Sequence, residues 1–70
     1  MLYVFERGPE RKTCELRLNP NGEGFELVVT ENGHQAVEHY AEMGRLLSRE
    51  HELLNAWRAL GWREALPRTR

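Results

Sequence analysis

From Met1 to Tyr40 the apolar residues recur mostly at every second position, and from about Ala41 they recur at every third or fourth. A period of two marks strands with one buried face, and a period near 3.6 marks an amphipathic helix. Met1–Arg7, with Tyr3, Val4 and Phe5, reads as a first strand that ends at Gly8-Pro9. Lys12–Leu18 alternates Cys14, Leu16 and Leu18 with Thr13, Glu15 and Arg17, the pattern of a half-buried strand. Asn19-Pro20-Asn21-Gly22 is turn chemistry, because Pro sets φ and Asn and Gly accept positive φ. Phe25–Thr30 is the third strand. Asn32-Gly33 then predicts a two-residue type I′ hairpin, with His34–Tyr40 returning as the fourth. Ala36, Val37, Tyr40 and Ala41 also fit a helical stripe, so an earlier helix start is the competing reading of that segment.

Met43, Leu46, Leu47, Leu53, Leu54, Trp57 and Leu60 fall on one helical stripe, and Arg45, Arg49, Glu52 and Arg58 fall largely opposite. Gly61 suits the residue after the helix, where positive φ is needed. The helix would run about 20 residues, or roughly 30 Å. The expected fold is α+β: a four-stranded antiparallel meander packed on one long C-terminal helix, as a single domain over residues 1–66 with a frayed tail over 67–70.

Hairpin arithmetic assigns the faces, because opposed residues share one. A two-residue Asn32-Gly33 loop opposes Glu31 to His34, Val29 to Ala36, Val28 to Val37 and Phe25 to Tyr40. A four-residue Gly8–Arg11 loop opposes Phe5 to Cys14 and Tyr3 to Leu16. One face then collects Tyr3, Phe5, Cys14, Leu16, Leu18, Phe25, Leu27, Val29, Ala36 and Tyr40, and the helix should cover it. Glu38 falls on that face too, a conflict that a bulge near Ala36 would remove. The far face carries Glu6, Glu15, Arg17 and Glu26 around the apolar Leu2, Val4 and Val28: a solvated face, or a dimer or partner surface.

Composition narrows the classes. The chain has 70 residues and a formal charge of -1, with no Asp, one Cys and a single Lys. Nothing approaches the roughly 20 apolar residues of a membrane helix, and no basic-then-apolar leader opens the chain. The expectation is a cytoplasmic protein with no membrane association. A chain this short buries only about 60% of its unfolded surface, and one such core supplies roughly 3–5 kcal/mol. Without a disulfide or metal cluster, dimerisation is the remaining device, so a homodimer is expected.

Candidate chemistry is sparse. His34 and His39 lie five apart on a strand and point to opposite faces, and His51 has no ligand one helical turn away. Cys14 sits among leucines as a small apolar filler. Ser48, the only serine, has no nucleophile-elbow glycines, and no phosphate-binding glycine pattern occurs. Glu50/Glu52 and Glu23/Glu26 read as surface charges. We therefore expect no enzyme, no cofactor and no metal.

The C-terminal part is more informative. Residues 14–42 carry net charge -5, and residues 43–70 carry +3. A helix of roughly 30 Å would overhang strands of roughly 20 Å, leaving Leu53, Leu54, Trp57 and Leu60 as a dimer seam or partner surface. Trp62 either folds back onto the core beside Gly61 or stays exposed. In the second case Trp62, with Arg58, Arg63, Arg68 and Arg70, forms a stacking and charge patch for single-stranded nucleic acid or a protein partner.

Tyr3-Val4-Phe5-Glu6-Arg7-Gly8, the Asn32-Gly33 hairpin and Leu60-Gly61-Trp62 together resemble a set of short bacterial proteins of unknown function, and that resemblance brings no site residues. In architecture alone, four antiparallel strands and a helix are similar to the unit of Whirly-type and transcriptional-coactivator single-stranded DNA binders. Those families pair through helices and bind strands across a basic, aromatic sheet. The present chain departs from them with Glu6, Glu15 and Glu26 against Arg17, which disfavours nucleic acid. The expected role is a small non-catalytic interaction module, a homodimer with an unidentified protein partner.

Overall fold

The computed structural model describes residues 1–65. Its elements are β1 (Leu2–Arg7), β2 (Glu10–Leu18), β3 (Phe25–Glu31), β4 (His34–Tyr40), α1 (Met43–Ala59) and a two-residue β5 (Arg63–Glu64). The strands form one antiparallel sheet in the order β4-β3-β2-β1-β5, with α1 on one face. The α+β meander with one C-terminal helix is therefore as expected. The added fifth strand pairs with β1 through Phe5↔Glu64 and Glu6↔Arg63, and Ala65 N–H donates to the Val4 carbonyl at 2.8 Å. No described helix is long and apolar enough to cross a membrane.

Turn chemistry decides the registers. Asn32 and Gly33 both take positive φ, 52° and 79°, as a type I′ loop requires, and β3 and β4 pair from Glu31↔His34 to Phe25↔Tyr40. Residues 34–40 are thus strand. The first hairpin departs from expectation. Gly8 (φ 61°) followed by Pro9 gives the φ sequence of a two-residue type II′ loop, so Arg7 opposes Glu10, Phe5 opposes Lys12 and Tyr3 opposes Cys14. The four-residue loop placed this register two residues off. A shift of two preserves parity, so every side chain keeps its expected face. Between β2 and β3, Gly24 (φ 79°) passes so close to the Tyr40 carbonyl that a Cβ would lie 2.6 Å from its oxygen.

The core lies between sheet and helix: Phe5, Cys14, Leu27, Val29, Leu46, Leu54, Trp57 and Trp62. Phe5 and Trp57 meet edge to face, with centroids 5.4 Å apart and planes at 72°. The helix is shorter than expected at 17 residues, or about 25 Å. It stops in a Schellman arrangement: Trp62 N–H bonds the Trp57 carbonyl, Gly61 N–H bonds the Arg58 carbonyl, and Gly61 takes φ 92°. That turn folds Trp62 back onto Trp57, which settles the two readings of Trp62 in favour of the core.

Candidate interaction surfaces

Three places on the molecule carry chemistry that the core does not consume. The first is the sheet face opposite α1. Cross-strand pairing sets out its rows: Leu2, Glu15, Val28 and Val37; then Val4, Thr13, Thr30 and Gln35. Arg17, Glu26 and His39 flank one side, and Arg63, Glu6 and Arg11 flank the other. None of the described elements covers this face, yet Val28 is only 2% exposed and Glu26 only 7%. Both sit on β3 with strands on either side, so flanking side chains form the roof. Glu26 was expected among the surface charges; instead its carboxylate accepts from Arg17 Nε at 3.2 Å and lies 3.1 Å from His39 Nε2. Arg11 donates to Glu6 at 2.7 Å. Leu2 and Val37 stay exposed at 57% and 40%. Three arginines balance three glutamates, so the face is neutral rather than basic, with the exposed Leu2 and Val37 at opposite ends of one row.

The second is a stack of cations on the tryptophans. Lys12 Nζ lies 4.6 Å from the Trp62 ring centre and 5.3 Å from that of Trp57, and 3.1 Å from Glu31 Oε1. The Arg7 guanidinium sits 4.8 Å from the Trp62 ring, donates to the Leu60 carbonyl at 3.0 Å and pairs with Glu10 at 3.1 Å. Arg7 thereby ties β1 to the negative end of the helix. These cation–π contacts were not foreseen. The signal was present, because Lys12 shares parity with Cys14 and Leu16, and Arg7 with Tyr3 and Phe5.

The third is a pair of acids under the helix. No bulge removes Glu38 from the covered face, since the β3–β4 register runs unbroken. Partners resolve the conflict instead: the Tyr40 hydroxyl donates to Glu38 at 2.7 Å, and Arg49 donates to its two oxygens at 3.3 and 3.4 Å. The Tyr40 hydrogen bond, opposed by partial burial and reinforced by Arg49, holds the Glu38 carboxyl below its ordinary range. Glu50 was also expected at the surface and is 7% exposed. It lies one turn from Leu46 and one turn from Leu54, on the core stripe itself, and its Oε2 has no hydrogen-bond partner. Burial raises its pKa, with the N-terminal amine and His51 opposing. Burial, and then Glu50 and Glu38, push the Cys14 thiol up to about 11, which leaves it protonated and unreactive at neutral pH.

The expected surface residues separate. Leu54 and Trp57 are buried in the core and Leu53 packs half-buried against it; only Leu60, at 62%, is exposed. The overhang that was to leave them free is absent, because the helix is shorter and β2, at nine residues, is longer than expected. Nor do the described members of the nucleic-acid patch form one surface. Trp62 is buried under two cations, Arg58 reaches Glu64 and Asn55 at 3.4 Å and lies over Phe5, and Arg63 is exposed on β5. Arg68 and Arg70 lie outside the described residues, as does the tail expected over 67–70. Surface depressions among the described residues are shallow, such as that between Tyr40, Arg45, Ser48 and Glu52. No group of three or more His, Cys or Glu side chains among the described residues could hold a metal ion. Compared with known proteins, the chain matches no family model, no curated protein and no solved structure.

Proposed function

We propose that this protein is a small, non-catalytic, cytoplasmic interaction module that acts as a homodimer and engages a further protein partner. The observation that carries the reading is the open layer: among the described residues a five-stranded sheet carries one helix on one face, while the other presents Leu2 and Val37 among balanced charges. Two-layer domains bury one side of each layer, and an open face that mixes exposed apolar residues with balanced charges has the composition of a non-obligate protein-binding surface. The small core favours the same reading, since association adds burial to a domain of marginal size. The protonated Cys14 thiol and the shallow surface fit a non-catalytic role.

The competing reading, a single-stranded nucleic-acid binder of Whirly-like architecture, asks for a free aromatic platform on a basic sheet. Trp62 already carries Lys12 and Arg7 on its ring, and the open face is neutral. Sedimentation velocity on the 70-residue chain tests the dimer, with the dimer mass expected. Titration with an oligo-dT strand at low salt, followed by Trp fluorescence, tests the rival. No saturable change is expected; saturable quenching that fades with salt would replace the protein-interaction reading with the nucleic-acid one.

A further inference from the structure

We propose that two copies join by antiparallel pairing of β4 with β4 across a two-fold axis at Val37, forming one continuous ten-stranded sheet. The proposal rests on the homodimer reading above and assigns its interface. The two edges of the sheet differ. One ends in β5, two residues long among the described residues, and short edges resist pairing. The other is β4, seven residues with no Pro, no Lys and no bulge, and His34–Val37 are all exposed. Among the described residues, nothing hydrogen-bonds to its outer backbone groups. Its one inward-pointing charge, Glu38, is already paired with Tyr40 and Arg49 of its own chain, so the edge remains a template for another strand.

The hairpin dictates which groups are offered. The residues flanking a two-residue loop exchange both backbone hydrogen bonds, so Glu31 and His34 form such a pair. By alternation His34, Ala36, Glu38 and Tyr40 direct their N–H and C=O groups to β3, and Gln35, Val37 and His39 direct theirs outward. A two-fold pairing must match outward residues with outward residues. Centred on Val37, it opposes Val37 to Val37 and Gln35 to His39 of the second copy, using all three outward residues of each strand in six N–H···O bonds. Centred on Ala36 or Glu38, it matches only two outward residues of each strand, and centred on Gln35 or His39 it runs off the strand end into Gly33 or Ala41, so each forms fewer.

Side chains and charges agree with that register. Glu38 falls opposite Ala36 of the second copy, so no like charges are directly opposed, and each Glu38 keeps its own Tyr40 and Arg49. On the open face the exposed Val37 of each copy meets Val37 of the other, beside the buried Val28 of each sheet. Backbone donor–acceptor matching, with no like charges opposed, thus fits a second copy of this chain in one register.

Val37→Pro removes an outward N–H without touching the β3 ladder, and Val37→Lys sets like charges face to face across the axis. Both should sediment as monomers with native circular dichroism, while the unaltered chain sediments as a dimer. If Val37→Pro fails to fold, Val37→Lys decides. Oxidation of Val37→Cys should give a disulfide-linked dimer, and Leu60→Cys, more exposed but on another surface, should not. A native dimer that persists in folded Val37→Lys overturns the β4 interface and leaves the homodimer reading standing. A native chain that stays monomeric overturns both.

Discussion

Leu27 and Val28 are neighbours on β3 and almost equally inaccessible, 0% and 2% exposed, yet they face opposite sides of the sheet. Leu27 is buried by a second layer, the apolar stripe of α1. Val28 is buried within its own layer, by side chains flanking it on a face that no described element covers. Low exposure therefore has two origins here. A helix-covered site is close-packed on every side and cannot collapse when atoms are removed. A site roofed by side chains with polar ends can rearrange, admit water or exchange its roof for another molecule.

The sharpest test of that contrast compares truncations. Leu27→Ala should cost about 2–5 kcal/mol, comparable to the whole stability of such a small domain, and the variant should show no cooperative transition in urea. Val28→Ala should cost about 1–1.5 kcal/mol, the transfer value of its lost methyls with little cavity penalty. Equal losses in the two urea midpoints would abolish the distinction.

Lys12 sharpens it from the polar side. Its charge lies inside the covered face against two tryptophans, so Lys12→Ala should cost about 1–2 kcal/mol. Lys12→Met, which keeps the apolar stem, should recover part of that loss in thermal unfolding. A cost within about 0.5 kcal/mol, usual for surface positions, would mean that the cation does not hold the rings.

Glu38 and Glu50 give smaller effects of opposite sign. Glu38 titrates below the ordinary glutamate value of 4.5 in the fold, so its contribution is present above that value and fades as pH falls through its lowered one. Glu38→Gln should lower the Tm at pH 7, and the difference should shrink in acid. Glu50 titrates above the ordinary value, so its penalty is fully present above its raised pKa and disappears as pH falls through it towards 4.5. Glu50→Gln should raise the Tm at pH 7, with the gain vanishing below the ordinary range. Thermal scans of both variants from pH 7 to acid check the signs, and a shared sign would contradict the environments described. The smallest effect belongs to Leu60→Lys, within about 0.5 kcal/mol, because Leu60 alone of the expected helix seam is exposed.

Local pattern carried much of this molecule. Period-two alternation, the Asn32-Gly33 loop and Gly61 after the helical stripe marked four strands, their faces and the helix stop, because each depends on residues close in sequence. Gly8-Pro9 was legible as well, but reading it as part of a longer loop hid the type II′ hairpin. Glu50 was overlooked although the i, i+4 spacing to Leu46 and Leu54 placed it on the core stripe; its charge outweighed its position. Of the expected surfaces, the far sheet face was visible from parity alone, whereas the helix seam rested on lengths of helix and strand that the sequence bounds only loosely.

The sequence by itself determined which residues share a face, since backbone alternation and turn conformation are local. The tertiary structure decided what each face meets. It set Lys12 and Arg7 on Trp62, gave Glu38 its Arg49, left Glu50 without a partner for one oxygen, added β5 to one edge and left β4 at the other. Those outcomes join residues far apart along the chain, and whether a polar group inside the fold is paired or orphaned depends on which distant segment packs against it.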